Sequence, residues 1–440
     1  MASTPVPASN PSPAPSTNVP PSGSSLFHWD SWAAPDFTVE RAEAGDLLAL
    51  VAAKERVMIE GPRRCGKTTM VINTMEGEGF DVLHIDLNGL QTPEGIRSRV
   101  DASKGRFLRD HPDVLESLAG KRISKSTVKA GVPGIGGSLE TNSEVSTELG
   151  TSLDAILDAV TEVAQQTNAV VFVDEFQAVN KPDMGGEVES AFAAASSPQR
   201  TRGKVSWVFA GSDRHAMHNI FHKDGSLFAN RRELFVGPIP EDTIIPFLNG
   251  RTGCDVAPAV GHAAYKWTEG IPADLQRLYG SIMKTLRTPG KITLRELNSA
   301  QADVMQSLLN KHADYASRIT ARNPDRLRLL TCIARHNVRT AEQLVEIADG
   351  ENFEPEQCDQ AFNGLVDTGV LHHNRATGAI ERPEPLFFHY LVATEADTHF
   401  AGNAARSPSG DLAAARRRKG KLPPLNTPTT PTPEPGTEPK

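Results

Sequence analysis

The chain has 440 residues, with 46 basic and 54 acidic side chains and a formal net charge of −8. That length accommodates two or three domains, and the charge gives no overall bias toward nucleic acid, so any such contact needs a local basic patch. No apolar stretch is long enough to cross a bilayer, and the N-terminus lacks the basic-then-apolar order of a signal peptide. A cytoplasmic protein is expected. The four cysteines (Cys65, Cys254, Cys332 and Cys358) show neither zinc spacing nor a disulfide framework and read as free thiols.

Residues 1–25 are Pro, Ser and Ala with few large apolar side chains, too little to offset chain entropy, and read as a disordered tail. Residues 26–240 alternate strand and helix patterns, which predicts an α/β domain with a parallel sheet covered on both faces. Val57-Met58-Ile59-Glu60 closes the first strand, expected over 56–60. Gly61-Pro62-Arg63-Arg64-Cys65-Gly66-Lys67-Thr68 then fits the phosphate-loop pattern G-x-x-x-x-G-K-[ST], and Thr68 to Met75 opens a helix. A strand feeding a glycine turn feeding a helix aims backbone N–H groups and the helix's positive end at one spot. The loop, with Thr69 after it, is the expected nucleotide-binding segment. Positive charge near Cys65 is expected to lower its thiol pKa.

A strand over 81–87 follows, and residues 122–150 break the rhythm. Ile123 to Leu149 is Ser-, Thr- and Gly-rich with Gly134-Ile135-Gly136-Gly137 as a turn, which reads as an inserted β-hairpin. A helix over 151–166 leads to Ala169-Val170-Val171-Phe172-Val173, an apolar run ending in Asp174-Glu175 as a buried parallel strand ending at a cleft would. In a phosphate-loop enzyme Mg²⁺ is held by the loop hydroxyl and a carboxylate from such a strand, roles that Thr68 and Asp174 fit; Glu175 is placed to polarise a water. Phe176 reads as packing and Gln177 as a polar strand end or a water-placing group.

A helix over 185–196 and strands over 205–211 and 233–237 complete the domain. His215, His218 and His222 recur at helical spacing; a solvated face or a cleft lining is favoured over a metal site, because no carboxylate completes a ligand set. Residues 241–290 read as a helical lid. Within 291–400, helices near 295–318, 325–336, 340–348 and 355–369 precede strands at Val370-Leu371-His372-His373 and Ala379-Ile380-Glu381-Arg382, the outline of a winged helix. Residues 401–440 read as a second disordered tail, containing the basic run Arg416-Arg417-Arg418-Lys419-Gly420-Lys421.

From Phe37 to Tyr390 the chain resembles the archaeal-type P-loop ATPases, relatives of the AAA+ and STAND ATPases. The resemblance is carried by the phosphate loop, Val173-Asp174-Glu175-Phe176-Gln177, Ala210-Gly211-Ser212, Ser226-Leu227-Phe228 with Arg231, Gly270-Ile271-Pro272 and the winged-helix-like end. It implies an additional-strand sheet of order 5-1-4-3-2, a helical lid and a C-terminal winged helix. It also implies that Lys67 and Glu175 serve catalysis, that Ser212 occupies the sensor position, usually Asn in AAA+ proteins, and that Pro272 packs against the adenine. Val39-Glu40-Arg41 would border the same base. Arg231 or Arg232 would be an arginine finger for a neighbouring subunit, which makes a homo-oligomer an expected arrangement.

The expected ligands are ATP or ADP with Mg²⁺, and the expected function is ATP hydrolysis coupled to the lid and the third unit. A nucleotide-dependent switch with little turnover, and an ATPase helper of a DNA transposition or replication machine, are the alternatives. Glu354, Glu356, Asp359 and Asp367 lie in the segment that would read DNA, with no Lys or Arg between Glu354 and Asp367. That field repels phosphates, so a protein client is favoured over DNA.

Overall fold

The computed structural model describes residues 38–118, 152–222, 228, 230–286, 290–374 and 377–404. The N-terminal tail, the hairpin expected at 122–150, Ser226-Leu227 and the basic run from Arg416 lie outside the described residues.

Five parallel strands form the central sheet: β1 (Arg56–Glu60), β2 (Val82–Asp86), β3 (Val170–Asp174), β4 (Trp207–Gly211) and β5 (Arg232–Phe235). Their order is β2-β3-β4-β1-β5, the order expected of the resemblance. Every residue of β3 and β4 is buried, which is why both read as unbroken apolar runs. Alternation along these strands builds two cores. Met58, Val171, Val173, Trp207 and Phe209 face one side with Phe176, Phe192 and Phe221. Val57, Ile59, Val170, Phe172 and Val208 face the other with Leu47, Met70 and Val71.

Beyond the sheet, helices Glu241–Thr252, Pro258–Thr268 and Pro272–Thr285 pack through Ile244, Leu248, Trp267, Leu275 and Leu278. The 29-residue helix Leu294–Arg322 starts at a capping box in which Thr293 and Glu296 satisfy each other's backbone N–H ends. Its first half, through Leu297 and Leu308, belongs to that same core, while Ala316 and Ile319 join the next one. Helices Pro324–Arg335, Ala341–Gly350 and Pro355–Asp367 then pack with the antiparallel pair β8 (His372–Asn374) and β9 (Ala379–Glu381) and with helix Pro385–Ala404. Two-residue strands at Asp255–Val256 (β6) and Lys291–Ile292 (β7) pair in parallel and tie the turn after helix Glu241–Thr252 to the start of helix Leu294–Arg322. Among the described residues no helix is long and apolar enough to cross a membrane.

Candidate functional site

The loop after β1 is shaped by its surroundings. Val236 N–H donates to the Glu60 carbonyl at 2.7 Å, and a side chain at Gly61 would place a Cβ 2.0 Å from the Val236 oxygen. Only glycine passes there. Gly66 caps the helix Lys67–Gly77. Lys67 is buried, and its Nζ donates to the carbonyls of Gly61 and Pro62, both at 2.9 Å; burial lowers its pKa. Arg41 spans the loop from outside, donating to the carbonyls of Cys65 at 2.7 Å and Gly237 at 2.5 Å. The expectation of a low-pKa Cys65 is corrected. The residue is fully buried, and desolvation pushes its thiol up to about 11 despite the nearby Lys67 and Arg41.

At the end of β3, Thr68 Oγ1 donates to Asp174 Oδ2 at 2.5 Å and the Glu175 N–H donates to Oδ1 at 2.9 Å. Glu175 takes the left-handed backbone (φ 52°) and turns its side chain toward β4. Its Oε2 accepts from Ser212 Oγ at 3.0 Å and from Gln177 Nε2, while Arg63 Nε donates to Ser212 Oγ at 3.2 Å. Gly211 makes this network fit: a Cβ there would sit 2.7 Å from Gln177 Oε1 and 2.4 Å from Met217 Sδ. Phe176 anchors the turn from below, fully buried with its ring 4.5 Å from that of Phe209.

Burial pushes the Asp174 carboxyl up to about 6, only partly offset by the Thr68 hydrogen bond. The folded state therefore holds a proton that the unfolded chain releases near pH 4. In metal-free, nucleotide-free buffer, stability is expected to fall as pH rises from about 4 to about 6, by at most about 3 kcal/mol. Urea unfolding across that window should show this slope in the native protein and a weaker one in Asp174→Asn.

Lys67, Thr68, Thr69, Asp174, Glu175 and Pro272 all line one cavity of about 800 Å³. Arg64, Cys65 and Gly66 line it too, as does the stretch Thr38 to Arg41, and Phe247 and Gln276 of the lid complete the wall. A second cavity of about 690 Å³ shares Glu175 with the first and is walled by Arg63, Gln177, Ser212 and His215 on one side and by Tyr315 and Phe387 on the other. Arg231 lines neither cavity. It contacts His222 Nδ1 at 2.8 Å and pairs with Glu233 at 2.9 Å. The neighbouring Arg232 pairs with Glu55 at 3.5 Å.

The three histidines share helix Arg214–His222 but do not converge. His218 and His222 stack at 4.5 Å, and His215 faces the second cavity. His222 instead meets Glu60 and Glu233, where Arg231 and Arg214 already supply the cations.

Two contributors to the site, Asp274 and His84, escaped the sequence reading, and the role of a third, Arg41, was read only in part. Asp274 in the lid pairs with Arg64 at 2.6 Å. Arg41 carries the loop contacts just described, whereas the sequence placed it only beside the base. His84 of β2 lies on the cavity wall. Each is one polar residue whose partner is remote in sequence, so no local spacing marks it.

The fold has counterparts among solved structures. A Walker-type ATPase of Pyrococcus abyssi superposes with a TM-score of 0.60 over 83% of this chain and 99% of its own, at 15% identity. The ORC2 protein of Aeropyrum pernix, solved with ADPNP and ADP, gives 0.50 over 86% and 98%, at 14% identity. The chain has the P-loop α/β fold. At these identities the likeness concerns architecture: the P-loop sheet and the run of helices after it, nearly the whole length of both counterparts. No family model matches the sequence, and no curated protein sequence matches it either.

Proposed function

We propose that the chain binds ATP or ADP with Mg²⁺ in the larger cavity and slowly hydrolyses the β–γ phosphoanhydride of ATP. The observation that carries this reading is the convergence of Lys67, Thr68, Asp174 and Glu175 on one cavity wall. Loop N–H groups and Lys67 would hold the β- and γ-phosphates. Thr68 and Asp174 offer a hydroxyl and a carboxylate in mutual contact, hard oxygen donors suited to Mg²⁺, which when bound offsets charge on the transferring phosphoryl group. Glu175 is the base that orients water, Ser212 reads the γ-phosphate position, and Pro272 closes the lid over the base. Arg231, tied to Glu233 and His222, would have to leave both to act in a neighbouring subunit. The test is retention of nucleotide by purified protein in millimolar Mg²⁺; protein that retains neither adenine nor guanine nucleotide refutes the reading.

A second reading, a nucleotide-dependent switch, is favoured by one feature. Glu269, directly before the Gly270-Ile271-Pro272 turn, receives Arg339 bidentately at 2.6 and 2.9 Å and also Arg382. Glu269, three residues before the cavity-lining Pro272, thus holds the unit that contains β8 and β9, which we read as a winged helix. Glu269→Ala leaves Arg382, 8% exposed, without its carboxylate partner. Amide exchange in β8 and β9 is expected to accelerate about tenfold or more, with ADP affinity little changed. Unchanged exchange would remove the link between lid and C-terminal unit.

In that unit Glu354, Glu356, Asp359 and Asp367 are all exposed, which supports a protein client over DNA. Salt-dependent binding of duplex DNA by the full chain would reverse this preference.

A further inference from the structure

Strand β2 places its middle residue beside the acid of β3. His84 pairs in register with Phe172, and their rings stack at 5.0 Å with planes 11° apart, which fixes the imidazole plane. From there His84 Nε2 points toward Asp174, 3.9 Å from Oδ2, the oxygen that accepts from Thr68. Nε2 is buried and has no hydrogen-bond partner among the described residues. Buried ring nitrogens normally find one. His84 is also the only described histidine on the wall of the larger cavity. Its other charged neighbours are Asp86 on its own strand and Arg106 on the helix Pro93–Asp110.

We propose that His84 is part of the divalent-cation site, its Nε2 becoming a ligand to the ion held by Thr68 and Asp174 and setting which metals the site accepts. The proposal rests on the reading of Thr68 and Asp174 as the cation ligands. Adjacent ligands of an octahedral ion with bonds near 2.0–2.1 Å lie roughly 3 Å apart, so the observed 3.9 Å needs a closing movement of about 1 Å. The Asp174 carboxylate can supply it on exchanging Thr68 for the ion. An all-oxygen site suits Mg²⁺, whereas one imidazole nitrogen shifts preference toward first-row transition metals.

The test uses the full-length protein with Mn²⁺ and ADP. Electron spin echo envelope modulation should show coupling to a histidine nitrogen that changes from ¹⁴N to ¹⁵N when the protein carries ¹⁵N-histidine. The coupling should vanish in His84→Gln. Displacement of the Mn²⁺ signal should also show the Co²⁺ to Mg²⁺ affinity ratio falling about tenfold in that variant. The isotope experiment needs no substitution, so a missing histidine coupling overturns the proposal even if the variant misfolds, and a coupling seen with Asp174-dependent Mn²⁺ points to His84, the only described histidine on that cavity wall. Mn²⁺ bound with ADP in an Asp174-dependent manner, but without histidine coupling, overturns the role of His84 and leaves the cation site standing. Mn²⁺ bound equally by Asp174→Asn overturns the cation site itself, and the proposal with it.

Discussion

Glu175→Gln is expected to lower ATP turnover about 10² to 10⁴-fold while leaving ADP affinity within about twofold. The amide has the size of the carboxylate and can turn its oxygen toward Ser212 Oγ and Gln177 Nε2, which both donate to Glu175 Oε2. The backbone turn at Glu175 and the packing of Phe176 beneath it are untouched. What is lost is the ability to take a proton from water, a loss felt in the chemical step and not in nucleotide binding. Steady-state phosphate release and equilibrium ADP titration separate the two quantities. Parallel losses in both would mean that Glu175 shapes the cavity and is not a base. Turnover already near zero in the native protein would favour the switch reading, since the same two hydrogen bonds that position Glu175 also restrain it.

The parts of this architecture that could be read from the sequence are those whose cause is local. β1 was legible to the residue, and β3 and β4 nearly so, because strands buried on both faces must be apolar throughout. The edge strand β5 has three exposed residues of four, and its expected position at 233–237 was shifted from Arg232–Phe235. Val370 and Leu371 read as strand because they are apolar, yet they lie before β8, buried against the helical core. The phosphate loop was legible as a pattern, but Cys65 was misjudged. Charges near it are visible in the sequence, and its full burial, with Arg41 donating to its carbonyl, is not. The same limit applies to Asp274 and His84, whose significance comes from Arg64 and Asp174, brought near only by the folded sheet and lid.

Arg64→Ala is expected to destabilise the protein by about 3–5 kcal/mol, and Arg64→Gly by about 1 kcal/mol less. Two effects combine at this residue. Its guanidinium lies 2.6 Å from Asp274, a carboxylate that is 1% exposed at the start of helix Pro272–Thr285. Burial already raises the pKa of that carboxyl, with Arg64 the foremost influence opposing it, so removing the arginine leaves a buried acid without its main counter-charge. Arg64 also holds a left-handed backbone at φ 69°, which alanine adopts at a cost and glycine does not. Chemical denaturation of the two variants should therefore order them Gly above Ala, both well below the native protein. Asp274→Asn is predicted to be milder than either, because the guanidinium it strands is 22% exposed and reaches water. Loss through Arg64→Ala should also be relieved by acid: once Asp274 is protonated no buried charge remains, and the gap to the native protein narrows as pH falls toward 4. A gap that stays constant with pH would mean that the packing of the Arg64 side chain, and not its charge opposite Asp274, carries the stability, because arginine and alanine hold φ 69° at the same cost.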